Sequence, residues 1–238
     1  MSSGLSTSTL ISKNHSNRRA HNWLVYRGID RLLREHAALY KGVLYDLGAG
    51  DSHYKDFFLE SAQQYVAVDW TDSLHATNEN ITADLNQPLP IDADVADTVV
   101  SLSVLEHLRE PQLMLTEAHR ILKGGGAIVL QVPWQWSIHE APHDYFRYTP
   151  YGLKTMFERA GFEDIRVEPQ AGFFTTVVLK CNYFTRRFAA GPAPVRWLLT
   201  AIFSVFWFIG QVLAPLLDKL DRNWSLEAPG YFVTARKP

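Results

Sequence analysis

The stretch Val43-Leu44-Tyr45-Asp46-Leu47-Gly48-Ala49-Gly50 (residues 43–50) carries the strongest information about the fold. A short apolar run is followed at once by two glycines, as in a buried parallel strand that enters a tight turn. Glycine adopts backbone angles that other residues avoid, and it lets the backbone approach a ligand closely. In a doubly wound sheet, ligands bind beyond the carboxyl ends of the strands. The stretch therefore predicts a first strand and a ligand-binding turn.

Strand-like and helical segments alternate along the rest of the chain. An amphipathic helix is predicted over Asn22 to Tyr40, and the glycines at 124–126 are expected to cap a later helix. Strands that alternate with helices indicate βαβ units, and hence a parallel sheet with helices on both faces. The further predicted strands are Tyr65–Asp69, Thr98–Ser103, Ala127–Val132, Ile165–Glu168 and Tyr231–Ala235, and the further helices are Pro111–Leu122 and Pro150–Ala160.

Composition excludes several classes of protein. The chain has 238 residues and a net charge of -2, which gives no basic surface for nucleic acid. Its single cysteine, Cys181, allows no internal disulfide and fits a reducing, cytoplasmic setting. Residues 1–20 are expected to be a flexible tail, because the start of the chain is rich in Ser and Thr and lacks the apolar segment of a secretory signal. Residues 21–238 are expected to form one domain.

An acidic residue at the end of the second strand indicates the kind of cofactor. Asp69 follows the glycine turn by about twenty residues, where a carboxylate can accept hydrogen bonds from both hydroxyls of a ribose. NAD-binding turns carry a third glycine beside the pyrophosphate, and His53 occupies that position here. S-adenosylmethionine (SAM) has no pyrophosphate and does not need the third glycine. The pattern therefore favours SAM, with an NAD-dependent oxidoreductase as the alternative.

Several motifs in a fixed order resemble those of class I SAM-dependent methyltransferases of the methyltransferase type 11 kind. These are Leu44 to Gly50, Asp69, Asp84-Leu85, Ser103-Val104-Leu105-Glu106-His107 and Leu122-Lys123-Gly124-Gly125. The resemblance covers residues 42–162 and the final strand. It implies a Rossmann-like, doubly wound, mostly parallel seven-stranded α/β sheet with an antiparallel last strand.

The resemblance also implies roles for individual residues. Asp46, Gly48 and Gly50 would line the methionine part of SAM, and Asp69 would hold the ribose. The remaining cofactor-binding residues would be Asp84 and Leu85 at the adenine and Ser103 beside the sulfonium.

The loop after the fifth strand, residues 132–150, is crowded with aromatic and ionisable side chains. His143 and His139 are candidate general bases, and Asp144 is placed to orient an imidazole. Alternatively, Asp144, Tyr145 and Arg147 only tie the loop to the helix that Thr149 caps. His107 either closes the cofactor pocket or packs beneath it, and no metal site is predicted. Predicted acceptor-binding residues are Trp134, Trp136, Arg147 and Tyr148.

The same loop resembles a bacterial subgroup associated with the synthesis of cell-surface polysaccharide or glycolipid. The resemblance rests on His139-Glu140-x-Pro142-x-Asp144-Tyr145-x-Arg147-Tyr148-Thr149. Residues 101–104 lack the Asn/Asp-Pro-Pro-aromatic run of amino-directed methyltransferases, which favours an oxygen acceptor. The predicted acceptor is a hydroxyl on a glycan, glycolipid or other lipid-linked small molecule, and the alternative is a non-catalytic methyltransferase-like partner protein.

An apolar insertion, residues 172–229, separates the last two strands. Residues 197–217 carry no charge, and Lys180, Arg186, Arg187 and Arg196 precede them. A single membrane span does not fit, because the last strand must return to the sheet. We expect a helix that lies in the interface on the inner face of the membrane, or a re-entrant hairpin. The alternative is a helix buried in the domain or in a homodimer interface.

Overall fold

The computed structural model describes residues 17–70 and 79–238, so most of the predicted tail lies outside the described residues. Its centre is a seven-stranded sheet in the order β3-β2-β1-β4-β5-β7-β6. The strands are β1 (Val43–Leu47), β2 (Gln64–Asp69), β3 (Ile81–Thr82), β4 (Ala96–Leu102), β5 (Leu122–Pro133), β6 (Glu163–Pro169) and β7 (Gly230–Arg236).

The sheet is parallel from β3 through β5, and β7 runs antiparallel between β5 and β6. The register pairs Tyr45 with both Val66 and Val99, so β1 lies between β2 and β4. The chain winds in opposite directions from β1, which makes the gap between β1 and β4 the switch point where ligands bind in such sheets. The predicted doubly wound sheet with an antiparallel last strand is confirmed.

Helices cover both faces of the sheet. Neighbouring residues of β4 show the two faces directly, because Val99 belongs to one buried apolar cluster and Val100 to the other. The predicted amphipathic helix begins at Trp23 and ends at Glu35, followed by a short 3-10 turn over Ala37–Leu39. The helices are α1 (Trp23–Glu35), α2 (Lys55–Phe58), α3 (Pro111–Ile121), α4 (Pro150–Arg159), α5 (Phe173–Arg186) and α6 (Ala193–Asp218).

The prediction that glycines cap the helix before β5 is wrong. Helix α3 ends at Ile121, and Leu122 is already extended and pairs with Ala96 of β4. The backbone N–H of Gly125 donates to the carbonyl of Lys237 (2.9 Å), close to the end of the chain. The glycines therefore belong to β5 and its contact with a distant segment, which sequence spacing alone does not reveal.

The insertion folds into a hairpin of α5 and α6. Asp218, near the end of α6, accepts hydrogen bonds from the backbone N–H groups of Gly172 (3.1 Å) and Phe174 (2.8 Å) at the start of α5. Its carboxylate thus satisfies N–H groups that a helix start leaves without a partner. The contact fixes the two helices side by side and antiparallel.

A buried glutamine attaches the hairpin to the rest of the domain. Gln211 of α6 is fully buried; its amide donates to the carbonyls of Arg18 (3.2 Å) and Ala20 (2.9 Å) and accepts from the N–H of Leu24 (3.2 Å). All three partners lie at or just before the start of α1. The Gln211 amide therefore faces the domain, and the apolar residues of α6 are left to face outward.

Candidate active site

A cavity of about 670 Å³ opens at the carboxyl ends of β1, β2 and β4. Its walls come from the turns after these strands, from the segment after β3, and from the loop after β5. This is the switch point of the sheet, and the volume lies within the range of roughly 300–1,000 Å³ that is usual for small-molecule sites.

The glycine turn after β1 forms one wall of the cavity. Gly48 has φ +81° and Gly50 has φ +52°, a region that side chains disfavour. A Cβ on Gly48 would lie 2.4 Å from a methyl carbon of Val104, whereas a Cβ on Gly50 would meet no atom within 4 Å. Gly48 therefore permits the close approach of the segment after β4, and Gly50 presents bare backbone to the cavity.

Asp69 connects this turn to the end of β2. One carboxylate oxygen accepts from the N–H of Gly50 (2.6 Å) and the other from the N–H of Trp70 (2.8 Å). Each oxygen of a carboxylate has two lone pairs, so each can accept one further hydrogen bond. The side chain lines the cavity while its position is fixed from behind, which suits a ligand with two adjacent hydroxyl groups.

The segment after β3 is ordered by local hydrogen bonds. Asp84 Oδ1 accepts from the backbone N–H and the side-chain amide of Asn86 (2.9 Å each). Asn86 Oδ1 in turn accepts from the N–H of Arg109 (2.7 Å), which joins this segment to the one after β4. Leu85 is buried between them, and both Asp84 and Leu85 line the cavity as their predicted contact with a ligand requires.

Ser103 and Asp46 occupy different positions relative to the cavity. Ser103 lines it with φ +56°, and its hydroxyl donates to Gln131 Oε1 (2.6 Å). Asp46 is buried behind the described cavity wall, where the hydroxyl of Tyr65 donates to its carboxylate (2.6 Å). Burial raises the pKa of Asp46 to about 7, although the bond from Tyr65 opposes the shift. Asp46 therefore reaches a ligand only through the backbone that it supports.

His143 is the candidate base that the loop brings to the cavity. Its Nδ1 lies 3.1 Å from the hydroxyl of Tyr145, and that hydroxyl oxygen accepts from Arg109 Nε (3.0 Å). The indole of Trp70 meets the imidazole edge-on, with ring centres 5.8 Å apart. His143 and Tyr145 both line the cavity, so an imidazole faces the same space as Gly50 and Asp69.

Asp144 and Arg147 hold the loop together behind the cavity. The guanidinium contacts both carboxylate oxygens (2.5 and 2.7 Å) and also donates to the carbonyl of Ser137 (3.0 Å). Burial acts to raise the pKa of Asp144, but the bonds from Arg147 and from the His139 N–H hold it at about 2. Asp144 Oδ2 lies 3.3 Å from His139 Nδ1, so the carboxylate orients His139 and not His143. This arrangement matches the loop-tying alternative.

The three aromatic residues predicted to bind the acceptor pack elsewhere. Trp134 lies against Tyr231 of β7, and the hydroxyl of Tyr148 donates to the carbonyl of Leu105 (2.9 Å) within the core. Trp136 packs against Tyr183 of α5 and borders a second cavity of about 360 Å³. None of the three, nor Arg147, is in the described wall of the larger cavity.

Four residues in or beside the cavity were not predicted from the sequence to belong to the site. Trp70, Arg109 and Tyr145 line the cavity, and Glu106 is fully buried next to it. Trp70 directly follows the acidic end of β2, and Glu106 precedes His107 in a quoted motif. Their positions in the sequence could therefore have indicated that these two residues lie near the site. Arg109 and Tyr145 come together only through the folded loop.

The comparisons with known proteins agree with this geometry. Residues 45–130 match the family described as "Methyltransferase domain". The chain is 30% identical over 141 residues to a tRNA U34 carboxymethyltransferase of Hahella chejuensis (49% of this chain, 44% of that protein). It is 27% identical over 122 residues to 2-methyl-6-phytyl-1,4-hydroquinone methyltransferase 1, chloroplastic, of Oryza sativa subsp. japonica (46% and 32%). The chain thus spans less than half the length of these curated relatives.

A solved structure extends the likeness over nearly the whole fold. A SAM dependent methyltransferase from Archaeoglobus fulgidus superposes with a TM-score of 0.55 at 17% identity, covering 88% of this chain and 93% of that one. At such identity the likeness concerns the fold alone, and function must be argued from the site. Residues 45–130 of this protein therefore match the methyltransferase domain family, within a sheet that has the class I methyltransferase fold.

Proposed function

We propose that this protein is a SAM-dependent methyltransferase that acts on a hydroxyl group. The observation that carries the proposal is the Asp69 carboxylate, which lines the cavity and is held by two backbone N–H groups at the switch point of the sheet. Bound SAM supplies a methyl group on a positively charged sulfur. The protein contributes the ribose acceptor at Asp69, bare backbone at Gly50, and the walls at Asp84, Leu85 and Ser103.

The residues that directly follow the glycine turn disfavour a dinucleotide. Asp51 and His53 line the cavity directly after the glycine turn, and His53 Nδ1 lies 3.1 Å from the Asp51 carboxylate. A pyrophosphate would need backbone N–H groups without a bulky side chain at this point, and it would be repelled by the Asp51 charge. SAM requires neither, which favours it over NAD.

His143 is the residue that we assign to proton removal from the acceptor. If its Nδ1–H donates to the Tyr145 oxygen, Nε2 carries a lone pair and can take a proton from a hydroxyl. The Tyr145 oxygen then accepts from both His143 and Arg109, which its two lone pairs allow. An imidazole fixed in one orientation also restricts the acceptor to one approach, which displacement at a methyl carbon requires.

The outer face of α6 supports an acceptor that belongs to a membrane. Trp197, Leu198 and Phe206 are 78%, 62% and 66% exposed. Among the described residues, α6 is the one helix that is long and apolar enough to cross a bilayer. Soluble proteins rarely expose so large a continuous apolar surface. Further exposed apolar residues of this outer face are Val195, Ile202, Val205, Ile209, Leu213 and Leu216.

The contacts of α6 favour a position along the membrane surface. Gln211 and Asp218 bind the start of α1 and the start of α5, and the indole N–H of Trp207 donates to Thr185 (2.9 Å). A helix attached to its domain along this length cannot cross the bilayer without breaking these bonds. Its apolar face can still enter the interface sideways.

Exposed cations at one end of the hairpin complement an anionic surface. Arg186 and Arg187 end α5, Arg196 begins α6, and all three are exposed. Each such charge near an anionic membrane is worth roughly 1 kcal/mol. We therefore propose that the enzyme is cytoplasmic, docks on the inner face of the membrane, and methylates a glycan, glycolipid or other lipid-linked molecule there.

Calorimetry with SAM and with NAD tests the cofactor site. Asp69→Ala removes two charge-assisted bonds worth roughly 1.5–3 kcal/mol each, so SAM affinity should fall at least tenfold. Asp56→Ala, an exposed aspartate on α2, is the matched control and should bind as the unchanged protein does. Tight NAD binding in place of SAM, or equal SAM affinity in both variants, would overturn the assignment.

Transfer and docking are tested separately. Labelled SAM with a membrane-lipid extract should yield a methylated lipid-linked product, whereas SAM binding without transfer would indicate a non-catalytic protein. In flotation, the protein should rise with vesicles containing phosphatidylglycerol, and Phe206→Glu with Ile209→Glu should abolish this. Tyr151→Glu, at an aromatic on α4 that is 82% exposed, is the control. A stable dimer that stays with the soluble fraction would make α6 a subunit interface and refute membrane docking.

A further inference from the structure

Two histidines and a buried glutamate converge next to the cavity. The side chain of Glu106 is fully buried, and within the described part of the chain neither of its oxygens takes part in a hydrogen bond. Glu106 Oε1 lies 3.6 Å from His107 Nε2 and 3.8 Å from His139 Nε2. A buried carboxylate without a hydrogen bond costs several kcal/mol, so a positive charge between it and the two imidazoles would be stabilising.

A hydrogen bond on the far side of the His107 ring determines which of its nitrogens faces the glutamate as a ligand. His107 Nδ1 lies 2.5 Å from the carbonyl of His143, which can only accept, so Nδ1 carries the proton. In the neutral ring, Nε2 then presents its lone pair to Glu106. His139 Nδ1 lies 3.3 Å from the Asp144 carboxylate and 3.4 Å from Arg147 Nη2, so these contacts leave both tautomers of the neutral ring open. One nitrogen of each histidine and a carboxylate oxygen of Glu106 thus lie within 4.8 Å of one another.

We propose that Glu106, His107 and His139 bind a divalent transition-metal ion, with zinc and manganese as the ions that fit. Ligands about 2.1 Å from a metal in tetrahedral geometry are about 3.4 Å apart, and octahedral neighbours are about 3.0 Å apart. The observed 3.6 and 3.8 Å are close to these separations, and all three ligand atoms lie within 4.8 Å of one another, so the side chains would move closer together around an ion. Two imidazoles favour a transition metal over Mg²⁺ or Ca²⁺, which prefer oxygen ligands.

The surroundings have the features of a supported metal site. Metal-binding histidines usually donate their other N–H to a carboxylate or a backbone carbonyl, as His139 can to Asp144 and His107 does to His143. Glu140 Oε2 lies 3.6 Å from the same His107 nitrogen. Both His107 and Glu140 line the cavity, so an ion held here faces it with a position open to a further ligand.

The consequence for catalysis rests on the proposed function. An acceptor hydroxyl on the ion would lose its proton more readily, as metal-bound water does, and His143 would receive that proton. This gives the Asp144–Arg147 pair a second use, because it positions His139 as well as the loop. A proton on His139 is the competitor of the metal, since Glu106 raises the pKa of this imidazole.

Metal binding can be measured without any assay of methyl transfer. The full-length chain, carrying Cys181→Ser because that thiol is exposed, would be stripped with chelator and titrated with Zn²⁺ and Mg²⁺ by calorimetry. Co²⁺ would report the ligands through its visible absorption. We expect one Zn²⁺ per chain, much weaker Mg²⁺ binding, and a Zn²⁺ affinity at least a hundredfold lower in His139→Ala. Asp144→Asn should lower it by roughly 10–100-fold.

Controls separate loss of a ligand from loss of the fold. His36→Ala removes an imidazole that binds Glu168 (2.8 Å) elsewhere on the sheet, and it should leave Zn²⁺ affinity unchanged. Glu106→Gln tests the buried ligand, and His139→Ala serves if that variant does not fold. Equal Zn²⁺ affinity in the starting protein and His139→Ala, or no Co²⁺ band, would overturn the metal site. SAM affinity measured in the same samples shows independently whether the cofactor proposal holds.

Discussion

Replacing Gly48 by alanine should destabilise the protein by about 2–5 kcal/mol, whereas Gly50→Ala should cost about 1–2 kcal/mol. Both glycines have positive φ, so both variants include the backbone term of about 1–2 kcal/mol. Only at Gly48 would the new Cβ also meet Val104, with its two methyl carbons 2.4 and 2.8 Å away. Forcing a methyl group into packed surroundings adds about 1–3 kcal/mol.

A double-mutant cycle isolates this contact. Val104→Ala removes both methyl groups and leaves the Val104 Cβ, which is 3.1 Å from the added atom. The steric part of the Gly48→Ala cost should therefore disappear in Gly48→Ala with Val104→Ala, giving a favourable coupling of about 1–3 kcal/mol. Urea unfolding followed by tryptophan fluorescence measures all four proteins. Equal costs at the two glycines, or a coupling below about 0.5 kcal/mol, would refute the reasoning.

Three further variants test other parts of the structure. His143→Ala should lower turnover by about 10²–10⁴ with SAM affinity unchanged, and full activity would exclude His143 as the base. Burial raises the pKa of Asp46 to about 7, whereas the carboxyl of an unfolded chain ionises at about pH 4. The free energy of unfolding should therefore fall as pH rises from about 4 to about 7. Asp46→Asn should abolish this loss and be more stable by about 2–4 kcal/mol at pH 8, as urea unfolding at pH 5 and pH 8 would show. Asp218→Ala should cost about 1–2 kcal/mol in urea unfolding by removing the cap of α5, and the exposed Lys219→Ala should cost less than 0.5 kcal/mol.

The parts of the fold that sequence reasoning recovered depend on local patterns. The apolar run and glycine turn at residues 43–50 form β1 and the cavity wall, and the alternation of segments gives the parallel sheet. These patterns extend over only a few neighbouring residues, so they can be recognised in the sequence without knowledge of distant contacts. The end of α3 was not recovered, because it depends on the pairing of Leu122 with Ala96 and of Gly125 with Lys237.

In the candidate site, too, the residues placed by local patterns were predicted, and those placed by distant contacts were not. Gly48, Gly50, Asp69, Asp84, Leu85 and Ser103 line the cavity, since strand ends determine their positions. The roles of the aromatic and charged residues in the loop after β5 could not be predicted from its composition, because several of them contact residues far away in the chain. Trp134 packs on Tyr231, and Trp136 packs on Tyr183, so both leave the cavity to His143 and Tyr145.

The hairpin leaves the sheet and returns to it at neighbouring points. Pro169 of β6 pairs with Tyr231 of β7, and the N–H of Gln170 donates to the carbonyl of Gly230 (3.0 Å). A segment whose two ends are adjacent can be lengthened, shortened or exchanged without disturbing the order of the strands. Residues 172–229 can therefore change during evolution while the cavity between β1 and β4, away from this edge of the sheet, keeps its walls.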